Sequence, residues 1–158
     1  MRVSSGSPTP GFLVWRLSMK WRAAVDRAVV PLGLTHAQYS VLASLYGMNR
    51  RGMFPSQRQL AEHTGLEPIY VSKLARTLER AGLLERPESP SDTRAVRLAL
   101  TPAGNDTATA AIGVVGELLE RALGPLGGMH SRRTSKFVAD LEDLLAADLN
   151  PQPEGPDQ

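Results

Sequence analysis

Along most of this chain the apolar residues recur at helical spacing, broken by short polar or Gly/Pro stretches. From 11 to about 30, Leu13, Leu17, Trp21, Ala24 and Ala28 form one stripe, while Phe12, Trp15 and Met19 form a second on the roughly opposite side. A surface helix of a lone domain needs only one apolar stripe. Two stripes fit either a central helix of its own domain or a helix that turns one face to a partner. Pro31-Leu32-Gly33-Leu34 breaks the pattern. Thr35-His36-Ala37-Gln38 then has the form of a capping box, whose hydroxyl and amide satisfy the free N–H groups of a helix start. That helix continues through Tyr39, Val41, Leu42, Leu45 and Tyr46, and "NRRGMFP" reads as a loop. Ser56-Gln57-Arg58-Gln59 is a second capping box, opening a short helix with Leu60 and Ala61 inward. Gly65 ends it, and Pro68 sits where a first helical turn loses no hydrogen bond.

The next helix, predicted over 68–81, is strongly two-faced. At 100° per residue Val71, Leu74, Ala75, Leu78 and Gly82 gather on one side. Ile69, Lys73, Arg76 and Arg80 fall opposite, flanked by Ser72 and Thr77, with Glu79 off the stripe. Taken alone, such a face fits a solvated charged surface. Its setting changes the reading: a short capped helix, a tight connection and a helix with a basic outer stripe make a helix-turn-helix. The second helix of that motif enters the major groove, N-terminal residues nearest the base edges. Strands are predicted over 83–87 and 95–100, the second alternating Val96, Leu98 and Leu100 against Arg97 and Ala99, with the polar loop "ESPSDTR" between them. Helix-turn-helix plus hairpin is a winged helix. Thr101-Pro102 opens a further helix to about 123, the Gly/Pro run 124–128 breaks it, and a last helix over about 131–149 carries Phe137, Val138, Leu141, Leu144 and Leu145 on one stripe. The fold class expected is mainly α (α+β).

Charge adds direction to this picture. The net charge of the 158 residues is +2, but residues 1–49 hold five bases against one acid, 50–97 nine against six, and 98–158 four against nine. The basic part suits a polyanion and the acidic part avoids it. No apolar run is long enough for a membrane span, and the N-terminus lacks the form of a signal peptide. The absence of cysteine excludes disulfides, thiolate metal sites and thiol redox sensing, and it accords with a cytoplasmic protein. His36, His63 and His130 are scattered without i,i+4 partners, and "LGPLGG" lacks the Lys-Ser/Thr of a phosphate loop. No spacing points to catalysis, so the expectation is a non-enzyme without metal or cofactor and without a membrane partner.

Several segments together resemble the MarR family of bacterial transcriptional regulators: "LTHAQYSVLASL", "PSQRQLAEHTGLEPIYVSKLARTLERAGLLER", "SDTRAVRLALTPAG" and the paired terminal helices. Asp92-Thr93-Arg94 matches that family's D-x-R wing signature, and 100–104 matches the stretch opening its long helix. The resemblance covers nearly all of 11–149. It implies a winged helix-turn-helix over 35–100 and N- and C-terminal dimerisation helices over 11–34 and 101–149, while the Ser/Pro/Gly-rich composition of 1–10 and the polar composition of 150–158 read as a disordered arm and a disordered tail. It further implies a homodimer on palindromic double-stranded DNA, a repressor released by a small-molecule effector. The residues assigned to DNA are then Ile69, Tyr70, Ser72, Lys73, Arg76, Thr77 and Arg80 of the recognition helix, and Asp92, Arg94, Arg86 and Arg97 of the wing. Arg94 suits a narrow minor groove, where negative potential is enhanced. Asp92 either orients Arg94 or caps its own loop, and Arg86 and Arg97 either contact phosphate or sit on a solvent face. By analogy with the family, Trp15, Met19, Tyr39 and Met48 line an effector pocket; their alternative is ordinary core. A reading from another class is a winged-helix protein-interaction module that binds no operator. Pro68 and Tyr70 are choices the family pattern does not dictate, so the operator sequence stays open.

Overall fold

The computed structural model describes residues 7–87 and 96–150. In order they form α1 (Pro10–Val29), a 3-10 turn, α2 (His36–Asn49), α3 (Gln57–Thr64), α4 (Pro68–Arg80), β1 (Leu84–Glu85), β2 (Ala99–Leu100), α5 (Pro102–Ala122), a second 3-10 turn and α6 (Arg132–Ala146). The chain divides into two compact units, Met1–Leu118 and Leu119–Gln158.

In the first unit the core is built by α2, α3 and α4. Val41, Leu42 and Leu45 of α2 meet Leu60 and Ala61 of α3 and Val71, Leu74, Ala75 and Leu78 of α4, all buried. Both capping boxes form: Thr35 Oγ1 accepts from Gln38 N and Gln38 Oε1 from Thr35 N, and Ser56 and Gln59 exchange the same pair. Gly65 closes α3 at φ 71°, in the left-handed region where a side chain is strained. Gly82, on the apolar side of α4 by helical angle, in fact lies beyond that helix and is exposed; at φ 73° it lets Leu83 N–H return to Leu78 O at 2.9 Å.

The first helix departs from the predicted stripes. Its core face is made by Val25 and Val29, both fully buried, with Trp21 packed beside them, whereas Leu13 and Leu17 are exposed. A 20-residue helix is about 30 Å long, and the core of Met1–Leu118 packs against only its C-terminal half. Asp26 Oδ1 accepts the His36 N–H at 2.6 Å, which ties α1 to the first turn of α2 and puts a carboxylate at its positive end.

The hairpin is also shorter than predicted. Pairing among the described residues is Leu84↔Leu100 and Glu85↔Ala99, antiparallel. Leu98 and Leu100 are buried as expected, but Val96 is exposed and Ala99 buried. On the edge of β2 that faces away from β1, other segments take up backbone groups. Leu98 N–H donates to Pro55 O at 2.9 Å, and Asn49 of α2 takes the remaining groups: its Nδ2 donates to Leu98 O at 3.3 Å and its Oδ1 accepts from Leu100 N at 2.9 Å. One side-chain amide thus stands where a third strand would continue. α5 begins at Thr101, whose hydroxyl donates to Gly82 O and accepts from Gly104 N. It buries Gly104, Ala108, Ala111 and Val115, a stripe of mostly small residues that permits close approach.

In the second unit, Gly127 and Gly128 adopt positive φ and Ser131 caps α6 by accepting from Thr134 N at 3.0 Å. The Thr134 hydroxyl donates to Gly128 O, and Leu123 is buried. Along α6, Phe137 and Leu141 are half-buried, while Val138, Leu144 and Leu145 are exposed. No helix among the described residues is long and apolar enough to cross a membrane.

Candidate nucleic-acid interface

α4 is held from behind by its buried face, and the opposite side is free to meet a ligand. Ile69, Lys73, Arg76 and Arg80 are exposed on that side, with Tyr70 and Thr77 exposed and Ser72 half-buried beside them. The predicted recognition-helix residues are therefore all presented on one element, apart from the partial cover on Ser72. Arg76 reaches back to Ser72, its Nη2 lying 3.4 Å from the Ser72 hydroxyl. Among the described residues, Lys73, Arg76 and Arg80 stand in no ion pair. A depression of about 620 Å³ is lined by Lys73, Arg76, Thr77, Glu79 and Arg80. Because all five come from one helix and the depression is open, it is part of a flat charged face rather than a pocket for a small molecule.

Two arginines of the hairpin arms are placed differently from each other. Arg86 Nε donates to Glu79 Oε2 at 3.0 Å, leaving its terminal nitrogens outside that bond. Arg97 is exposed and its Nη1 donates to Phe54 O at 3.2 Å, across to the loop before α3. Each is braced by a partner that no local signal singles out. Asp92 and Arg94 lie outside the described residues.

The four predicted pocket residues are not alike. Trp15 and Met19 are exposed on the N-terminal half of α1, Trp15 at 58% and in a tilted pair with Phe12. Tyr39 packs against the core in the first turn of α2, and burial raises its pKa. Met48 is half-buried in the last turn of the same helix. Among the described residues no three His, Asp or Glu side chains gather as a metal site.

Sequence reasoning missed Asn49 and Glu79. Asn49 fixes the register of β2 through partners 49 and 51 residues away, and Glu79 meets Arg86 across a turn. Neither has a local signal, since both contacts exist only once the hairpin folds back on the helices.

Comparison with known proteins agrees with this geometry. A sequence profile of the MarR family matches residues 32–95. The uncharacterized HTH-type transcriptional regulator YdcH of Bacillus subtilis is 33% identical over 144 residues, which is 91% of this chain and 95% of its own. The HTH-type transcriptional repressor Rv2887 of Mycobacterium tuberculosis is 31% identical over 83% of this chain and 91% of its own. Its crystal structure in complex with DNA matches at TM-score 0.66 and 28% identity, covering 87% of this chain and 98% of that one. CouR of Rhodococcus jostii, bound to p-coumaroyl-CoA, matches at TM-score 0.75 and 29% identity, covering 90% and 93%. With likeness running over nearly the whole length of these regulators and the helix-turn-helix matched within it, the chain belongs to the MarR family.

Proposed function

We propose that this chain is a cytoplasmic, sequence-specific DNA-binding transcriptional regulator, a homodimer that represses from a palindromic operator and lets go when a small molecule binds. The observation that carries the reading is the outward face of α4, where Lys73, Arg76 and Arg80 follow one another at helical spacing with no acid on the stripe. A helix so presented fits the major groove, with the cations meeting phosphates along its walls. The complexes of Rv2887 with DNA and of CouR with an aromatic acyl-CoA support the two halves of the proposal, operator and effector.

Dimerisation follows from what a single chain leaves open. Phe12, Leu13, Val14, Trp15, Leu17 and Met19 are all about half exposed on α1, and Leu144 and Leu145 are more so on α6. Contiguous apolar faces of this kind mark association surfaces, and a two-fold partner gives the spacing two half-sites need. In this dimer Trp15 and Met19 become enclosed, and with Tyr39 and Met48 they line the effector pocket. In the wing, Arg94 enters the minor groove and Asp92 orients it. Replacing Arg94 by Ala then lowers operator affinity strongly and Asp92→Ala does less. The double variant matches Arg94→Ala, because the two act as one unit.

Selection of bound sites from random duplexes tests the proposal, followed by titration of the enriched site at several salt concentrations. The expected result is an enriched palindrome whose affinity falls steeply with salt as released counterions lose their advantage. No enrichment and no salt-dependent duplex binding would favour a protein-interaction module instead.

A further inference from the structure

Basic residues explain how α4 holds a phosphate backbone, but they leave its first turn without a purpose. Ile69 is 71% exposed, more than any other large hydrophobic described within Met1–Leu118. Tyr70, next to it, is 42% exposed. The core does not lack room for apolar side chains from this helix, since Val71, Leu74 and Leu78 are all buried in it. Ile69 is outside because of its phase. It stands four residues before Lys73, seven before Arg76 and eleven before Arg80, at the head of the cationic stripe. An exposed β-branched residue there gains nothing from packing in the folded chain and costs helix propensity.

A side chain at that place meets the floor of the groove while the cations behind it meet the walls. Isoleucine neither donates nor accepts a hydrogen bond, so of the groups that bases offer in the major groove it can recognise only the C5-methyl of thymine. We infer that Ile69 is a specificity-determining residue of α4 that reads a thymine methyl group in each half-site, with the exposed Tyr70 widening the apolar surface at the same end. This rests on the DNA-binding reading above and names what part of the operator the helix recognises by contact rather than by charge.

The test uses the full chain and the duplex enriched in the selection. Each thymidine of the half-site is replaced in turn by deoxyuridine, which removes the methyl and keeps base pairing and the O4 acceptor. One position is expected to lose about fourfold in affinity, the effect of taking one methyl out of an apolar contact. Ile69→Ala is expected to bind the thymidine and deoxyuridine duplexes equally, with the salt dependence of wild type because no phosphate contact is removed. Ile69→Val is expected to keep part of the discrimination. A melting curve accompanies each variant, and an exposed position leaves it close to wild type. Deoxyuridine without effect at every position, a half-site lacking thymine, or methyl discrimination undiminished in folded Ile69→Ala overturns the inference. Duplex binding that is salt-dependent but blind to the methyl removes this inference alone, whereas no duplex binding at all removes the DNA reading with it.

Discussion

At the residue scale, Gly104 has the least freedom to change. A Cβ built on it would lie 1.9 Å from Leu83 O, backbone that cannot step aside without moving α5 off the hairpin. Gly104→Ala is expected to destabilise the fold by about 1–3 kcal/mol in spite of alanine's better helix propensity, as overpacking does. Denaturant unfolding measures it, and a variant as stable as wild type would show that α5 yields easily. His36 makes a second residue-scale case. Burial holds its imidazole below the ordinary 6.5; the Asp26 carboxylate raises it and Arg22 lowers it. As pH falls below about 6.5 the unfolded chain takes up the proton first, so the stability from neutral His36 is complete above that pH and drains away towards the folded-state value. Melting temperatures at about pH 7.5 and about pH 5.5 are expected to differ more in wild type than in His36→Gln. An equal difference in both would leave the imidazole without a part in the acid response.

Elements bring out the coupling between helix and hairpin. Glu79 is an acid beside a basic face, and it has taken Arg86 as its partner at 3.0 Å, the pair being only partly covered. Such pairs contribute little to stability, so Glu79→Gln is expected to leave unfolding nearly unchanged. In the DNA-binding reading the same change removes a repelling charge and frees Arg86 for phosphate. Affinity for random duplex should rise, and the salt dependence should steepen by about one unit of slope. Random-duplex titrations of wild type and Glu79→Gln decide it; an unaltered slope means that Arg86 does not reach the backbone. The capping boxes belong to this scale as well. Thr35 and Ser56 each satisfy a helix start through a bond to an amide three residues on. Both were legible because every participant lies within four residues.

For the whole molecule the question is what covers the open apolar faces. Leu145 is 85% exposed and contributes almost nothing to the single chain. If a second copy buries it, Leu145→Asp is expected to turn a dimer into a monomer in sedimentation at micromolar concentration, with helix content retained. A dimer unaffected by the change would move the interface elsewhere. In the proposed function, release from DNA should also be indifferent to thiol oxidants, since the chain has no cysteine for them to reach. A diamide-sensitive complex measured by fluorescence anisotropy would contradict this.

What the sequence determined by itself is whatever depends on neighbours in the chain. The two capping boxes, the stop at Gly65, the two-faced pattern of α4 and the opening of α5 at Thr101-Pro102 all rest on residues within a turn or two of one another. Family likeness reached further, because several short motifs in order constrain a fold that none of them fixes alone. Tertiary structure decided the rest. It chose Val25 and Val29 over Leu13 and Leu17 as the core face of α1, since only the folded unit shows how much of a long helix it covers. It left each strand two residues long and gave the outer edge of β2 to Asn49, an amide that only the folding of α2 against the hairpin brings there. It also paired Arg86 with Glu79 and left Ile69 bare at the head of the cationic stripe. Periodicity assigns a residue to a face; which faces find a neighbour is settled by contacts between segments far apart in the chain.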